Sequence, residues 1–163
     1  MQGLSENEKK AWLAFFATAA LMDRKLDQQL KDEARLTHVQ YEVLSRLSEA
    51  PDHELRMTEL SEALFTTQSG TTYQIAQLVK SGYVRRKECS NGGRAVWAVL
   101  TDAGLEVLKQ AGPGHVRAVR NLLIDVLTPG ELDAIANGLG RVRDHILDQV
   151  GYPDAAKALS RRA

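Results

Sequence analysis

The sequence predicts a mainly α-helical protein with one small β-hairpin, and three observations carry that expectation. Long stretches at both ends repeat apolar residues at helical spacing and open on capping signals. Between them lie a short helix, a sharp turn and a second helix with a polar leading end. A basic hairpin follows at once, its two β-rich arms joined by Ser90-Asn91-Gly92-Gly93. Helix, turn, helix and hairpin in that order define a winged helix-turn-helix, framed here by N- and C-terminal helices suited to dimerisation.

Each element has its own warrant. Ser5, followed three residues later by Glu8, is a capping box that starts a helix with Trp12, Phe15, Phe16, Ala19, Ala20, Met22, Leu26 and Leu30. That apolar surface is broader than one stripe, which predicts more than one packing partner. Thr37 to Gln40 caps a second helix, whose inner face includes Val39, Val43, Leu44 and Leu47, and Pro51-Asp52 ends it. Residues 55–57 read as a brief strand, after which Thr58 is expected to cap the helix of Leu60, Ala63 and Leu64. The next helix is expected over 68–81, stopping at Gly82, which takes a left-handed conformation at low cost. Segments 83–89 and 95–100 form the arms of the hairpin.

Thr101-Asp102 opens a further helix with Leu105, Val107 and Leu108. Gly112-Pro113-Gly114 is expected to bend or briefly break it, because proline lacks the amide hydrogen. Helical spacing then continues through Val116, Val119, Leu122, Leu123, Val126 and Leu127. Thr128-Pro129-Gly130-Glu131 combines a threonine cap, a first-position proline and a third-position glutamate. It starts a last helix with Leu132, Ile135, Leu139, Val142, Ile146 and Val150, closed by Gly151-Tyr152-Pro153. The chain therefore reads as one domain over 1–163. Dimerisation helices occupy 5–35 and 102–150, the winged helix-turn-helix lobe 36–101, and a tail 151–163. The apolar residues of the flanking helices exceed what so small a lobe covers, so a two-fold homodimer is expected.

Composition narrows the function. With 44% hydrophobic and 26% charged residues the chain is an ordinary soluble, folded one. Its formal net charge is zero, so any contact with nucleic acid must use a local patch. Such a patch exists: from Thr58 to Arg94, Lys80, Arg85, Arg86, Lys87 and Arg94 face only Glu59, Glu62 and Glu88. The positive charge bunches on the hairpin. Cys89 is the lone cysteine and reads as a small apolar strand residue, so no internal disulfide is expected. No signal peptide and no membrane-spanning apolar run stand out, which predicts a cytoplasmic protein without a membrane partner. The four histidines, one cysteine and scattered serines offer no metal-ligand spacing, no phosphate-binding glycine loop and no nucleophile–base set. No enzyme activity, metal or cofactor is expected.

The candidate DNA-reading residues sit on the second helix of the unit and on the hairpin. Ile75, Leu78 and Val79, with Thr71, form the expected inner face of that helix; Ser69, Gly70, Tyr73, Gln74 and Gln77 form the outer one. Thr67, Gln68, Ser69, Thr72, Tyr73 and Gln74 offer hydroxyls and amides suited to base edges in the major groove. Arg86 alternates with its neighbours and is directed at phosphate, while Arg94 is suited to the adjacent minor groove.

These residues carry a resemblance. Residues 36–64, Ser69-Gly70, residues 78–86 and Leu100-Thr101-Asp102-Ala103-Gly104 are similar to the multiple-antibiotic-resistance regulator (MarR) family. So is the later run from His115-Val116-Arg117 to Leu127-Thr128-Pro129-Gly130-Glu131-Leu132. The resemblance spans roughly residues 5–150. It implies a dimeric winged helix-turn-helix transcription factor, usually a repressor, on near-palindromic double-stranded DNA. It also implies release by a small, often phenolic or aromatic effector that shifts the spacing of the two reading heads. The family's effector pocket tends to lie where the dimer helices meet the DNA-binding lobe, which makes Trp12, Phe16, His38, Tyr41 and His115 the candidates. Two positions depart from the family pattern. Tyr73 stands where many members carry a basic residue, and Gly92-Gly93-Arg94 stands where the wing usually carries Asp-Arg-Arg. The alternative reading is therefore a winged-helix protein-interaction module with weakened or lost DNA binding.

Overall fold

The computed structural model describes residues 3–88 and 95–150. Helix α1, Glu6–Ala34, starts on the expected capping box: the Ser5 N–H donates to Glu8 Oε2 at 2.7 Å and the Glu8 N–H to Ser5 Oγ at 3.4 Å. It ends where Arg35 turns left-handed, with φ 56°. Helix α2, His38–Glu49, is capped by Thr37, and Gln40 returns the bond. A 3₁₀ turn over Pro51–His53 leads to strand β1, Glu54–Arg56. Helices α3, Met57–Ala63, and α4, Gln68–Lys80, form the helix-turn-helix; strands β2, Val84–Glu88, and β3, Val96–Leu100, form the wing.

The three strands make one antiparallel sheet in the order β1-β3-β2. β1 uses the far edge of β3, pairing Leu55 with Ala98, while β2 pairs Val84 with Leu100 and Arg86 with Ala98. Helices α2, α3 and α4 close a single apolar core with this sheet. Leu36, Val43, Leu44, Leu47, Leu60, Ile75, Leu78, Val84, Ala98 and Leu100 are all buried there. Val39 is not among them: it is 41% exposed, so the inner face of α2 is narrower than expected.

Helix α5, Asp102–Leu122, is tied to the lobe by Thr101. Its Oγ1 donates to the Gly82 carbonyl at 2.7 Å and accepts the Gly104 N–H at 3.1 Å. A Cβ on Gly104 would run into the Tyr83 carbonyl oxygen, which gives that glycine a packing reason. Gly82 holds φ 76°, as its stop position requires.

Three expectations on helix limits are corrected. α3 starts at Met57, so Thr58 lies inside it; the Arg56 N–H is instead met by Glu59 Oε2 at 3.1 Å. α5 runs unbroken through Pro113. The missing proline amide leaves the Lys109 carbonyl without its helical donor, but both residues are exposed, so water can serve it. On the side packed against α1, buried Gly114 lets α5 lie directly on Gln29 and Glu33. Helical spacing does not continue to Leu127: α5 ends at Leu122, and a 3₁₀ turn over Ile124–Val126 precedes helix α6, Pro129–Val150. Thr128 caps α6 with Glu131, as expected. The Gly151-Tyr152-Pro153 stop and the tail lie outside the described residues. Among the described residues no helix is long and apolar enough to cross a membrane.

Burial is uneven. Residues 3–21 are exposed throughout, including Trp12, Phe15 and Phe16, and of α6 only Leu147 is buried.

Candidate nucleic-acid interface

The turn between α3 and α4 places the candidate surface. Phe65 takes a left-handed φ of 51°, which bends the chain sharply. Thr67 then caps α4, its Oγ1 accepting the Gly70 N–H at 3.1 Å and standing 3.1 Å from Ser69 Oγ. Thr71, Ile75 and Leu78 turn inward and are buried. Thr67, Gln68, Ser69, Thr72 and Tyr73 are exposed on the outer side, Tyr73 at 62%. Two expected positions shift. Val79 is exposed rather than packed inward: although one turn beyond Ile75, it lies at the rim of the arc that Thr71, Ile75 and Leu78 bury. Gln74 is half-buried, with an Oε1 that is buried and lacks a partner among the described residues, so it flanks the outer surface instead of leading it.

Strand β2 of the wing supplies three basic residues, and strand register separates them. Arg86 faces the same side as Ala98 and reaches α4, its Nη2 standing 3.5 Å from the Thr72 carbonyl oxygen. Lys87 pairs across from Trp97 and is engaged by Glu54 at 2.8 Å, so its charge is matched. Arg85 lies on that same side, opposite Val99. Arg86 is thus the cation of β2 that stands beside α4. Arg94, together with Cys89, Gly92 and Gly93, lies outside the described residues.

An open groove of about 360 Å³ separates the start of α3 from α4 and the base of the wing. Arg56, Met57, Thr58, Thr72, Arg86, Ala95 and Val96 line it. Arg56 was not singled out by the sequence. Its guanidinium lies 5.1 Å from the centre of the Trp97 ring, which holds it at the groove by cation–π attraction. The signal was local: a basic residue immediately before a helix start, on the edge strand of the wing.

The five candidate effector residues fall into two groups. Trp12 and Phe16 pack on each other at 4.2 Å and are exposed on the N-terminal half of α1. His38, Tyr41 and His115 meet where α1, α2 and α5 converge, with Tyr41 4.3 Å and His38 5.8 Å from the His115 ring. At 1.5 Å per residue, Phe16 stands about 10 Å along α1 from Asp23, the α1 residue that touches His38. Within one chain, then, the aromatic pair and the histidine pair are separate sites. Burial lowers the His115 pKa, nearby His38 adds to that, and Glu42 opposes both.

Helix, turn, helix, and a wing whose arginine reaches the second helix define a winged helix-turn-helix regulator. Comparison with known proteins agrees at every level. A model of the MarR family matches residues 36–95. Sco3205, a MarR family transcriptional regulator from Streptomyces coelicolor solved in complex with DNA, is 37% identical, with a TM-score of 0.85 over 89% of this chain and 91% of that one. AbsC, another MarR family regulator from Streptomyces coelicolor, is 32% identical, with a TM-score of 0.84 over 90% and 98%. The Bacillus subtilis HTH-type transcriptional regulator YfiV is 28% identical over 145 residues, 83% of this chain and 82% of its own. The chain belongs to the MarR family of transcriptional regulators, a family of DNA-binding proteins and not of enzymes.

Proposed function

We propose that the protein is a homodimeric repressor that reads a near-palindromic operator through α4 and is released by a small aromatic or phenolic effector. The observation that carries this reading is the junction of Arg86 with Thr72, which sets a cation with no ion pair among the described residues beside the hydroxyl-rich outer side of α4. In a major groove, Gln68, Ser69, Thr72 and Tyr73 meet base edges, the capped N-terminus of α4 meets a phosphate, and Arg86 and Arg56 engage the backbone. Arg94 enters the flanking minor groove. Sco3205, similar along nearly the whole chain, was crystallised with DNA, and that supports the assignment.

Dimerisation rests on the uncovered apolar residues of α1 and α6, with Ile135, Leu139, Val142 and Ile146 all exposed in one chain. A second copy covers them and sets two copies of α4 about one helical turn of DNA apart. The effector sits among His38, Tyr41 and His115, with Trp12 and Phe16 supplying apolar cover at the dimer contact.

The test is a binding titration of the purified protein on DNA from its own upstream region. A specific complex whose affinity falls steeply with salt is expected. If no specific complex forms at moderate salt, the reading fails in favour of a winged-helix interaction module.

A further inference from the structure

A second constellation lies away from the wing, where α1, α2 and α5 converge. We propose that His38, Glu42 and His115 form a binding site for one divalent transition-metal ion of the zinc class. One ligand atom from each of the three lies within 4.8 Å of the others. Zinc ligands at 2.0–2.2 Å stand about 3.3 Å apart in a tetrahedron, so contraction of about 1.5 Å or less closes the set. His38 and Glu42 are one helical turn apart on α2 and His115 comes from α5, so the donors stand on rigid elements.

Three further observations point to a ligand and not only to packing. His38 Nδ1 lies 2.8 Å from Asp23 Oδ1. A carboxylate only accepts, so Nδ1 carries the hydrogen and Nε2 keeps its lone pair for a metal. Such a carboxylate–histidine pair is the usual outer support of a metal-bound imidazole. The Asp27 carboxylate fixes the same residue from behind, accepting the His38 N–H at 3.0 Å. His115 Nδ1 is buried without a hydrogen-bond partner among the described residues. Stacking on Tyr41 explains where that ring lies, but it leaves the nitrogen unanswered.

The donor set selects the ion. Two imidazoles and one carboxylate suit zinc, cobalt or nickel and are wrong for magnesium or calcium, which take oxygen. Three protein ligands leave a fourth position for water or for an anionic oxygen of a bound small molecule. Arg46 is the competing cation, with its Nη2 3.8 Å from Glu42 Oε2, too far for a strong hydrogen bond. The location coincides with the histidine part of the effector site above, and only that coincidence rests on the functional reading; metal binding stands on these distances and is measured without DNA.

The experiment uses the full chain, stripped with a chelator and titrated at pH 7.5 with Co(II), then with Zn(II) against a chromophoric competitor. One equivalent per chain is expected, with the visible absorption of four- or five-coordinate cobalt, displaced by zinc and indifferent to excess magnesium. H38A, H115A and the near-isosteric E42Q should each weaken zinc at least ~10-fold, and D23N ~10–100-fold through loss of outer support. H53A, H145A and C89S should bind as the parent does. Circular dichroism establishes that each variant is folded, and E42Q remains decisive if an alanine variant is not. The proposal is overturned if no equivalent binds in competition, or if folded E42Q and H115A bind with the parent's affinity. It is equally overturned if C89S, H53A or H145A abolishes binding.

Discussion

The lobe over 36–101 and the long helices around it bury their apolar residues in different ways. In the lobe, Leu36 and nine residues from α2, α3, α4 and the sheet close on one another within a single chain. In α1 and α6, Trp12, Phe15, Phe16, Leu139, Val142 and Ile146 stay exposed, although their spacing is as regular as that of the core. Periodicity tells which residues want cover and says nothing about who provides it. The lobe closes its core within one chain, with Ala34 of α1 and Leu105, Val107 and Leu108 of α5 packed against it; the exposed faces of α1 and α6 are half of something, and the second copy proposed above is the other half.

The strongest way to break this contrast is to attack the lobe. Leu44→Ala empties a fully buried position and should cost about 2–5 kcal/mol, read as a lower midpoint in urea denaturation. The converse experiment places charge on the open side: Leu139→Asp with Ile146→Asp should give a monomer in sedimentation velocity while the helical signal of the lobe persists. A monomer that unfolds completely would mean the lobe depends on its neighbours after all.

The join between the two regions is open to a finer probe. Gly104→Ala drives a methyl into the Tyr83 carbonyl and should destabilise by about 1–3 kcal/mol. Thr101→Ala removes a cap and should cost about 1 kcal/mol, measured by the same denaturation. The smallest effect is a pH dependence at the convergence of α1, α2 and α5. Burial lowers the His115 pKa in the folded chain below its ordinary value. Its contribution is therefore present above the usual imidazole range and lost as pH falls through the lowered folded value. His38 and Glu42 face it, Glu42 working against the shift. Thermal melts between pH 7.5 and 5 should show a modest loss that His115→Phe flattens.

Much of this was legible in sequence because it is local. Ser5 with Glu8, Thr37 with Gln40, Thr128 with Glu131, and Gly82 each act within one turn, and each sits where its chemistry requires. What escaped depends on distant partners. Pro113 reads as a break until Gly114 is seen lying against Gln29 and Glu33. Val79 reads as core because it is apolar, yet it falls just off the buried arc of α4. Arg56 gains meaning only once Trp97, on another strand, lies beneath it. Likewise His38 and Glu42 share a helical face, an i, i+4 signal that was present, but nothing local brings His115 to them. Of the candidate reading residues, Thr67 to Tyr73 follow from helical spacing, and Arg86 is named by the sequence, whereas the reason it stands apart from Lys87 comes only from strand register and the ion pair with Glu54.

The central claim is that Arg86 and the outer side of α4 form the surface that holds DNA. Fluorescence anisotropy of the parent and Arg86→Ala on one operator fragment, across a salt series, tests it most directly. Arg86→Ala should weaken binding about 10-fold at moderate salt and flatten the dependence of log K on log salt by about 1 per protomer. A folded Arg86→Ala protein with the parent's affinity and the parent's salt slope would contradict it.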